Sequence, residues 1–172
     1  PGSCTTVPPS ARAIAWNGEQ ALVGGNSGKI QRVDGAGVSL GDMETAIGGS
    51  PIYAIEPLED GWLVGGSSGR IQRVDAEGLP VGDYEIALIG SSVTGIAWDG
   101  QRAIAVGSSR MHHTDGFGSV VPGSLQTYSY GSWKAIEANG NGAVAVSDGG
   151  WMVALGTDGE VLSPGFRALE GG

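Results

Sequence analysis

The sequence predicts an all-β fold, a β-propeller-like array of four four-stranded blades of about 41 residues each, on three observations. First, 33 of the 172 residues are glycine, about 19% where roughly 7% is usual. Outside Ser3–Asn17 and Ser50–Asp60 no glycine-free interval exceeds eight residues, and one interior glycine costs a helix about 1 kcal/mol relative to alanine. Second, Val23–Asp34 recurs as Val64–Asp75 at an offset of 41, with ten of twelve positions identical. Third, hydrophobic residues make up 40% of the chain and include five tryptophans, enough apolar area for a packed core. Disorder and, without a three-residue glycine period, collagen are excluded.

In chain order, residues 1–10 read as a polar amino-terminal arm and residues 11–172 as one propeller domain with blades 11–50, 51–92, 93–132 and 133–172. In the first blade an extended run, Arg12–Trp16, ends at the Asn17-Gly18 turn. Ala21–Val23 follows, then Gly24-Gly25 and the turn Asn26-Ser27-Gly28, which returns the chain as Lys29–Val33. Asp34–Gly37 turns again, and Asp42–Ile47 completes the unit. Asn-Gly and Asp-Gly pairs accept positive φ and mark tight hairpins. Asn17-Gly18, Asp60-Gly61, Asp99-Gly100 and Asn139-Gly140 hold equivalent places in the four units. Ala13-Ile14, Ala54-Ile55, Gly95-Ile96 and Ala135-Ile136 keep the same beat, spaced 41, 41 and 40.

Two alternatives stay open for the assembly: a closed four-blade ring, or half of a larger propeller completed by more chain or by a second copy. A two-unit beat bears on the choice. Units one and three share Ile-Ala-Trp (Trp16, Trp98), while units two and four share Ala-Ile-Glu (Glu56, Glu137). This suits an even-numbered ring. An unclosed array would leave apolar faces at both ends that need covering.

The motif Val-Gly-Gly-(Asn/Ser)-Ser-Gly-(Lys/Arg)-Ile followed by Asp-x-x-Gly resembles the repeats of Asp-box (BNR) and photosystem-assembly-factor-like propellers. The likeness covers residues 11–172 at the level of the repeat. The units lack the aromatic that closes an Asp-box, with Ser147–Trp151 coming nearest. The Gly-His and Trp-Asp signature of WD40 blades is also missing. The resemblance implies a propeller and leaves activity open.

Eighteen acidic against nine basic residues give a net charge of −9, which argues against nucleic acid as a partner. The longest apolar run, Trp151–Leu155, is far short of the roughly 20 residues that insert in a bilayer. Cys4 is the sole cysteine and is read as a free thiol or an intermolecular link. No Gly-x-Ser-x-Gly elbow, zinc-type cluster or convergent carboxylate pair is evident, so the chain reads as a non-enzyme without cofactor or metal. The turn aspartates Asp34, Asp75 and Asp115 each offer one carboxylate, too few for calcium.

What remains is binding. Trp16 and Trp98 share a phase at a strand end, as paired stacking surfaces for a glycan would, or as packing between blades. Arg32 and Arg73 share a third-strand phase with His113, while His112 falls on the opposite strand face. Trp133 and Trp151 sit outside the tryptophan phase and are candidates for a contact patch or for core filling. The sequence reading is a non-catalytic scaffold or protein-interaction module, exported or surface-associated, with a protein partner or self-association as a homodimer. Glycan binding is the alternative, and a glycosidase ranks below it.

Overall fold

The computed structural model describes residues 7–162 and the backbone of Phe166–Arg167; Cys4 lies outside the described residues. Regular structure there is strand plus three single-turn 3-10 helices. Strands β1 (Ala13–Trp16), β2 (Gln20–Gly24), β3 (Lys29–Asp34) and β4 (Ser39–Thr45) form blade 1. Blade 2 is β5 (Ile52–Leu58), β6 (Gly61–Gly66), β7 (Arg70–Asp75) and β8 (Pro80–Ile86). Blade 3 is β9 (Gly95–Trp98), β10 (Arg102–Gly107), β11 (Arg110–Asp115) and β12 (Gln126–Thr127). Blade 4 is β13 (Trp133–Ala138), β14 (Ala143–Ser147), β15 (Trp151–Leu155) and β16 (Phe166–Arg167). Each sheet is an antiparallel meander in sequence order. Among the described residues no helix is long and apolar enough to cross a membrane.

The turns form for the reason their residues suggest. Asn17 Oδ1 accepts the amides of Glu19 and Gln20 at 3.0 Å, and Asp99 Oδ1 accepts those of Gln101 and Arg102 at 2.8 and 2.7 Å. Asp34 Oδ1 accepts from Ala36 and Val38, Asp75 Oδ1 from Leu79, and Asp115 Oδ1 from Phe117 and Ser119. These carboxylates replace missing ladder bonds and tie off the hairpins. Gly69 shows why glycine is needed: at φ +71° a Cβ there would lie 2.0 Å from the Leu88 carbonyl oxygen.

Blades stack face to face, and strand alternation decides which side chains meet. Leu22 and Ile30 of blade 1 bury against Ile52, Trp62, Val64 and Val74 of blade 2. Leu63 and Ile71 of blade 2 do the same against Val93, Ile96, Ala103 and Ala105 of blade 3. Ile104, Val106 and Met111 of blade 3 meet Trp133, Ile136, Ala143, Ala145, Val153 and Leu155 of blade 4. Thus each blade offers a trailing face to its successor and a leading face to its predecessor.

The third junction is built differently. Ile47 and Leu88, fully buried anchors at the first two junctions, are matched in register by exposed Ser129. The lost volume is restored by aromatics: Tyr128 stands where Ala46 and Ala87 stand, and Trp133 where Ile52 and Val93 stand. Tyr128 meets the Trp133 ring edge-on at 5.9 Å, and Tyr130 lies 6.0 Å from it. A large residue lost at one place is offset by larger ones at two others, the compensation that a close-packed junction requires.

The blades form an open arc. Inner strand β1 packs beside β5, β5 beside β9 and β9 beside β13. Among the described residues no buried cluster joins blade 4 to blade 1. The leading face of blade 1 leaves Ile14 68% and Trp16 48% exposed, while Ala21, Val23 and Val33 on the same face are buried in a cluster that includes no residue of blade 4. On the trailing face of blade 4, Ala135 and Glu137 are exposed, while Val144, Val146, Met152 and Ala154 are half-buried. The closed four-blade ring is therefore not the arrangement seen.

Candidate functional site

The four inner strands line a concave cleft of about 370 Å³, rimmed by Arg12, Tyr53, Glu56, Thr94, Lys134 and Glu137. Arg12, Tyr53, Thr94 and Lys134 hold one repeat position, two residues before the conserved-phase isoleucines of the four blades. Their neighbours in the repeat are held to Ala/Gly and Ile by stacking, whereas this position carries four different chemistries. The Arg12 guanidinium stands 5.6 Å over the Tyr53 ring and its Nε donates to Asn26 Oδ1 at 2.7 Å. The Thr94 hydroxyl donates to the Trp133 carbonyl at 2.7 Å, and Lys134 Nζ lies 3.5 Å from Asp148 Oδ2.

Glu56 is the perturbed group. Its Oε1 accepts the Trp98 backbone N–H at 2.9 Å, bridging blades 2 and 3. Burial pushes its carboxyl up to about 7; that hydrogen bond opposes the rise and the negative charge of Glu137 adds to it. Both glutamates thus converge on one cleft, an arrangement the sequence reading did not anticipate. The signal was the shared Ala-Ile-Glu of units two and four, but its consequence depends on how far the arc bends.

The residues singled out from the sequence are distributed as follows. Arg32 Nη1 donates to the Ala76 carbonyl of blade 2 at 3.1 Å and to Gln20 Oε1 at 3.2 Å. Buried Arg73 donates to the equivalent Gly116 carbonyl of blade 3 and pairs with Asp60 Oδ1 at 2.5 Å. These arginines lock one blade to the next. His112 and His113 point to opposite faces: His112 Nδ1 lies 2.6 Å from the Ala87 carbonyl, and His113 abuts Gly159 of blade 4. His113 is buried, its Nε2 has no hydrogen-bond partner among the described residues, and burial, helped by the Arg102 charge, lowers its pKa. Among the described residues no group of three or more His, Cys, Asp or Glu could hold a metal.

Trp133 has no exposed surface and is core, not a contact patch; it fills the third junction. Trp151 is half-buried, 5.6 Å from the Tyr130 ring. Trp16 and Trp98 both lie over the Asp-Gly turn of their own blade, at Gly35 and Gly116. They do not share one site. Trp16 is on the open face of blade 1, whereas Trp98 borders a groove of about 280 Å³ between blades 2 and 3 with Asp60, Arg73 and Phe117. Phe117 is 75% exposed, with the Arg73 guanidinium 5.9 Å over its ring.

Sequential four-stranded meanders stacked face to face around a concave row of inner strands define a β-propeller array. No family model matches the sequence, and no curated protein matches it. Solved structures share the fold. The Pan2 WD40 domain of Neurospora crassa superposes with a TM-score of 0.75 at 14% identity, over 92% of this chain and 50% of that one. A chain of the mitotic checkpoint complex gives 0.76 at 18% identity, and U3-55K gives 0.77 at 12%; each match covers 92% of this chain and 53% of the other. The chain spans about half the length of the structures it resembles. The propeller expectation holds, while kinship with Asp-box repeats is not shown. A WD40 domain matches without the Gly-His and Trp-Asp pairs because blade geometry follows from strand and turn phasing, which this chain has.

Proposed function

We propose that the chain is a non-catalytic, protein-binding scaffold and that its binding face is the concave row of inner strands. The carrying observation is the position occupied by Arg12, Tyr53, Thr94 and Lys134: one phase, one cleft and four different side chains where the neighbouring positions are nearly fixed. Propellers expose variable residues on a rigid frame, and that is how one fold serves many partners. The fold shared with U3-55K and with a chain of the mitotic checkpoint complex agrees with this reading. Photo-crosslinking residues placed at Tyr53 and Lys134 test it. One partner should be captured from both positions and lost in Arg12→Glu plus Lys134→Glu. Equal capture from Asp83 on the exposed β8 strand would sink the idea.

A glycan-binding reading has one observation in its favour, the groove that combines Trp98, Phe117, Arg73 and Asp60. Stacking against Trp98 with hydrogen bonds from the Arg73–Asp60 pair would suit a sugar ring. A glycan array decides: saturable binding removed by Trp98→Ala and Phe117→Ala would favour the lectin. Glycoside turnover abolished by Glu56→Gln would replace both readings with a glycosidase. Export or surface association rests on the polar arm and on a content of only two lysines, Lys29 and Lys134; cell fractionation tests it.

A further inference from the structure

At the third junction the position that locks one blade to the next carries a histidine. Arg32 lies opposite Leu22, Arg73 opposite Leu63 and His113 opposite Ile104, so the three share one register. Both guanidiniums cross to the following blade, Arg32 to the Ala76 carbonyl at 3.1 Å and Arg73 to that of Gly116. An imidazole is shorter, and its charge depends on pH. His113 does reach blade 4, where a Cβ on Gly159 would lie 2.5 Å from its Nε2. That nitrogen is nevertheless buried with no hydrogen-bond partner among the described residues.

Other fastenings are reduced at the same junction. The buried anchors Ile47 and Leu88 have exposed Ser129 as their counterpart. Outer strand β12 has two residues where β4 and β8 have seven each. The polar ties that cross the seam join neutral groups: the Thr94 hydroxyl donates to the Trp133 carbonyl at 2.7 Å, and the Tyr128 hydroxyl to the Gly159 carbonyl at 2.8 Å. Among the described residues no ion pair joins blade 3 to blade 4.

Acid acts on this seam and spares the one before it. The charged and titratable groups around His113 are Arg102 of β10, Asp99 in the turn before β10, His112 on β11 and Asp158 in the turn after β15. Burial and the Arg102 charge oppose the imidazolium more than the two aspartates favour it, so the closed junction holds the ring neutral. Opening hydrates Nε2 and restores its ordinary basicity, so protons taken up below pH 6.5 favour the open form. Glu56, beside Glu137, has the opposite sign. Its carboxyl is protonated below about pH 7 and in that form still accepts the Trp98 amide, which holds blade 2 to blade 3 in acid.

We propose that blade 4 is an acid-releasable element: a proton on His113 opens the third junction while blades 1–3 stay stacked. Lys134 and Glu137 stand on β13, so the same opening removes one wall of the concave cleft. That consequence for binding rests on the cleft being the binding face; the opening itself does not.

Amide hydrogen exchange of the 172-residue chain, followed by mass spectrometry at about pH 7 and about pH 5.5 and corrected for intrinsic exchange rates, measures the opening without a partner. Opening read at β14 and β15 should rise about three- to eightfold in acid, the upper figure being the ceiling for a ring that titrates at 6.5 in the open form. Opening at β6 and β7 should hold or fall. His113→Gln should keep the β14 and β15 response within about twofold. His112→Gln, which alters the ring that meets the Ala87 carbonyl of blade 2, should leave that response intact. An equal acid response in β6 and β14 is global unfolding and would overturn the proposal. So would a flat response at β14, or one that persists in His113→Gln. Should that variant fail to fold, the wild-type comparison of β14 with β6 decides by the same criterion. A partner that leaves in acid while β14 stays protected counts against the opening and leaves the binding face standing.

Discussion

Replacing Glu56 by glutamine should make the protein more stable at pH 8 and remove a pH dependence that the wild-type chain shows. The carboxyl sits half-buried at the junction of blades 2 and 3, with Glu137 beside it in the cleft and, among the described residues, one amide N–H, that of Trp98, donating to it. Burial disfavours the ionised form, so the folded chain holds this proton up to about pH 7 while the unfolded chain releases it near 4.5. Between those values the native state binds more protons than the unfolded state. The stability this carboxyl contributes is therefore fully present below pH 4.5 and is lost as pH rises through 7. At about 1.4 kcal/mol per pH unit the full displacement sets a ceiling of about 3 kcal/mol. Partial exposure to solvent lowers that to about 2 kcal/mol.

Urea unfolding followed by tryptophan fluorescence, from pH 5 to pH 8, measures it. Wild type should lose about 2 kcal/mol across the range relative to Glu56→Gln, whose amide oxygen still accepts the Trp98 N–H. His113 works in the opposite sense. Its lowered pKa makes it lose stability as pH falls below 6.5, and it cancels when the two proteins are compared. Glu137→Gln should recover part of the difference by removing the neighbouring charge. A wild-type-minus-variant difference that is flat with pH, or a variant less stable at pH 8, would refute the reasoning.

Three further outcomes are expected in urea melts. Arg73→Met should cost about 2 kcal/mol, mostly from the stranded Gly116 carbonyl, since the Asp60 carboxylate is exposed and contributes little. Lysine at 73 should recover less than half, because it cannot span both acceptors with one planar head. Gly69→Ala should cost on the order of 3 kcal/mol or more, since its Cβ meets the Leu88 carbonyl, while Gly82→Ala, with equal left-handed φ in open space, should cost about 1 kcal/mol. Trp133→Ala should cost about 3–5 kcal/mol through the cavity left among Tyr128, Tyr130 and Val153.

What the sequence could disclose was whatever depends on phase. Turn residues such as Asn17 and Asp99 act within three positions of themselves, so their hairpins were readable from spacing alone. Arg32 and Arg73 were readable as one repeated position, and a repeated position meets a repeated environment, here a carbonyl of the next blade. The convergence of Glu56 and Glu137 was not, since it depends on the curvature of the arc, a sum of small rotations between sheets. Trp133 was left open between contact patch and core filling for a related reason. Compared with other tryptophans it breaks phase, but compared with Ile52 and Val93 it keeps it, as a larger residue at the same buried place.

The third junction shows how a repeat protein can vary without losing its stack. An isoleucine or leucine anchor cannot simply become Ser129, because the void would cost several kcal/mol. Here Tyr128 and Trp133 enlarge on the same junction, and the Tyr128 hydroxyl reaches the Gly159 carbonyl of blade 4 at 2.8 Å. The exchange removes one aliphatic plug and introduces an aromatic one with a polar tip, so a tyrosine hydroxyl bridges blades 3 and 4 where Gln72 and His112 bridge the first two junctions. Repeat identity therefore fixes the interior of this molecule, while its chemical individuality comes from compensated departures at the third junction and from the unconstrained rim position on the inner strands.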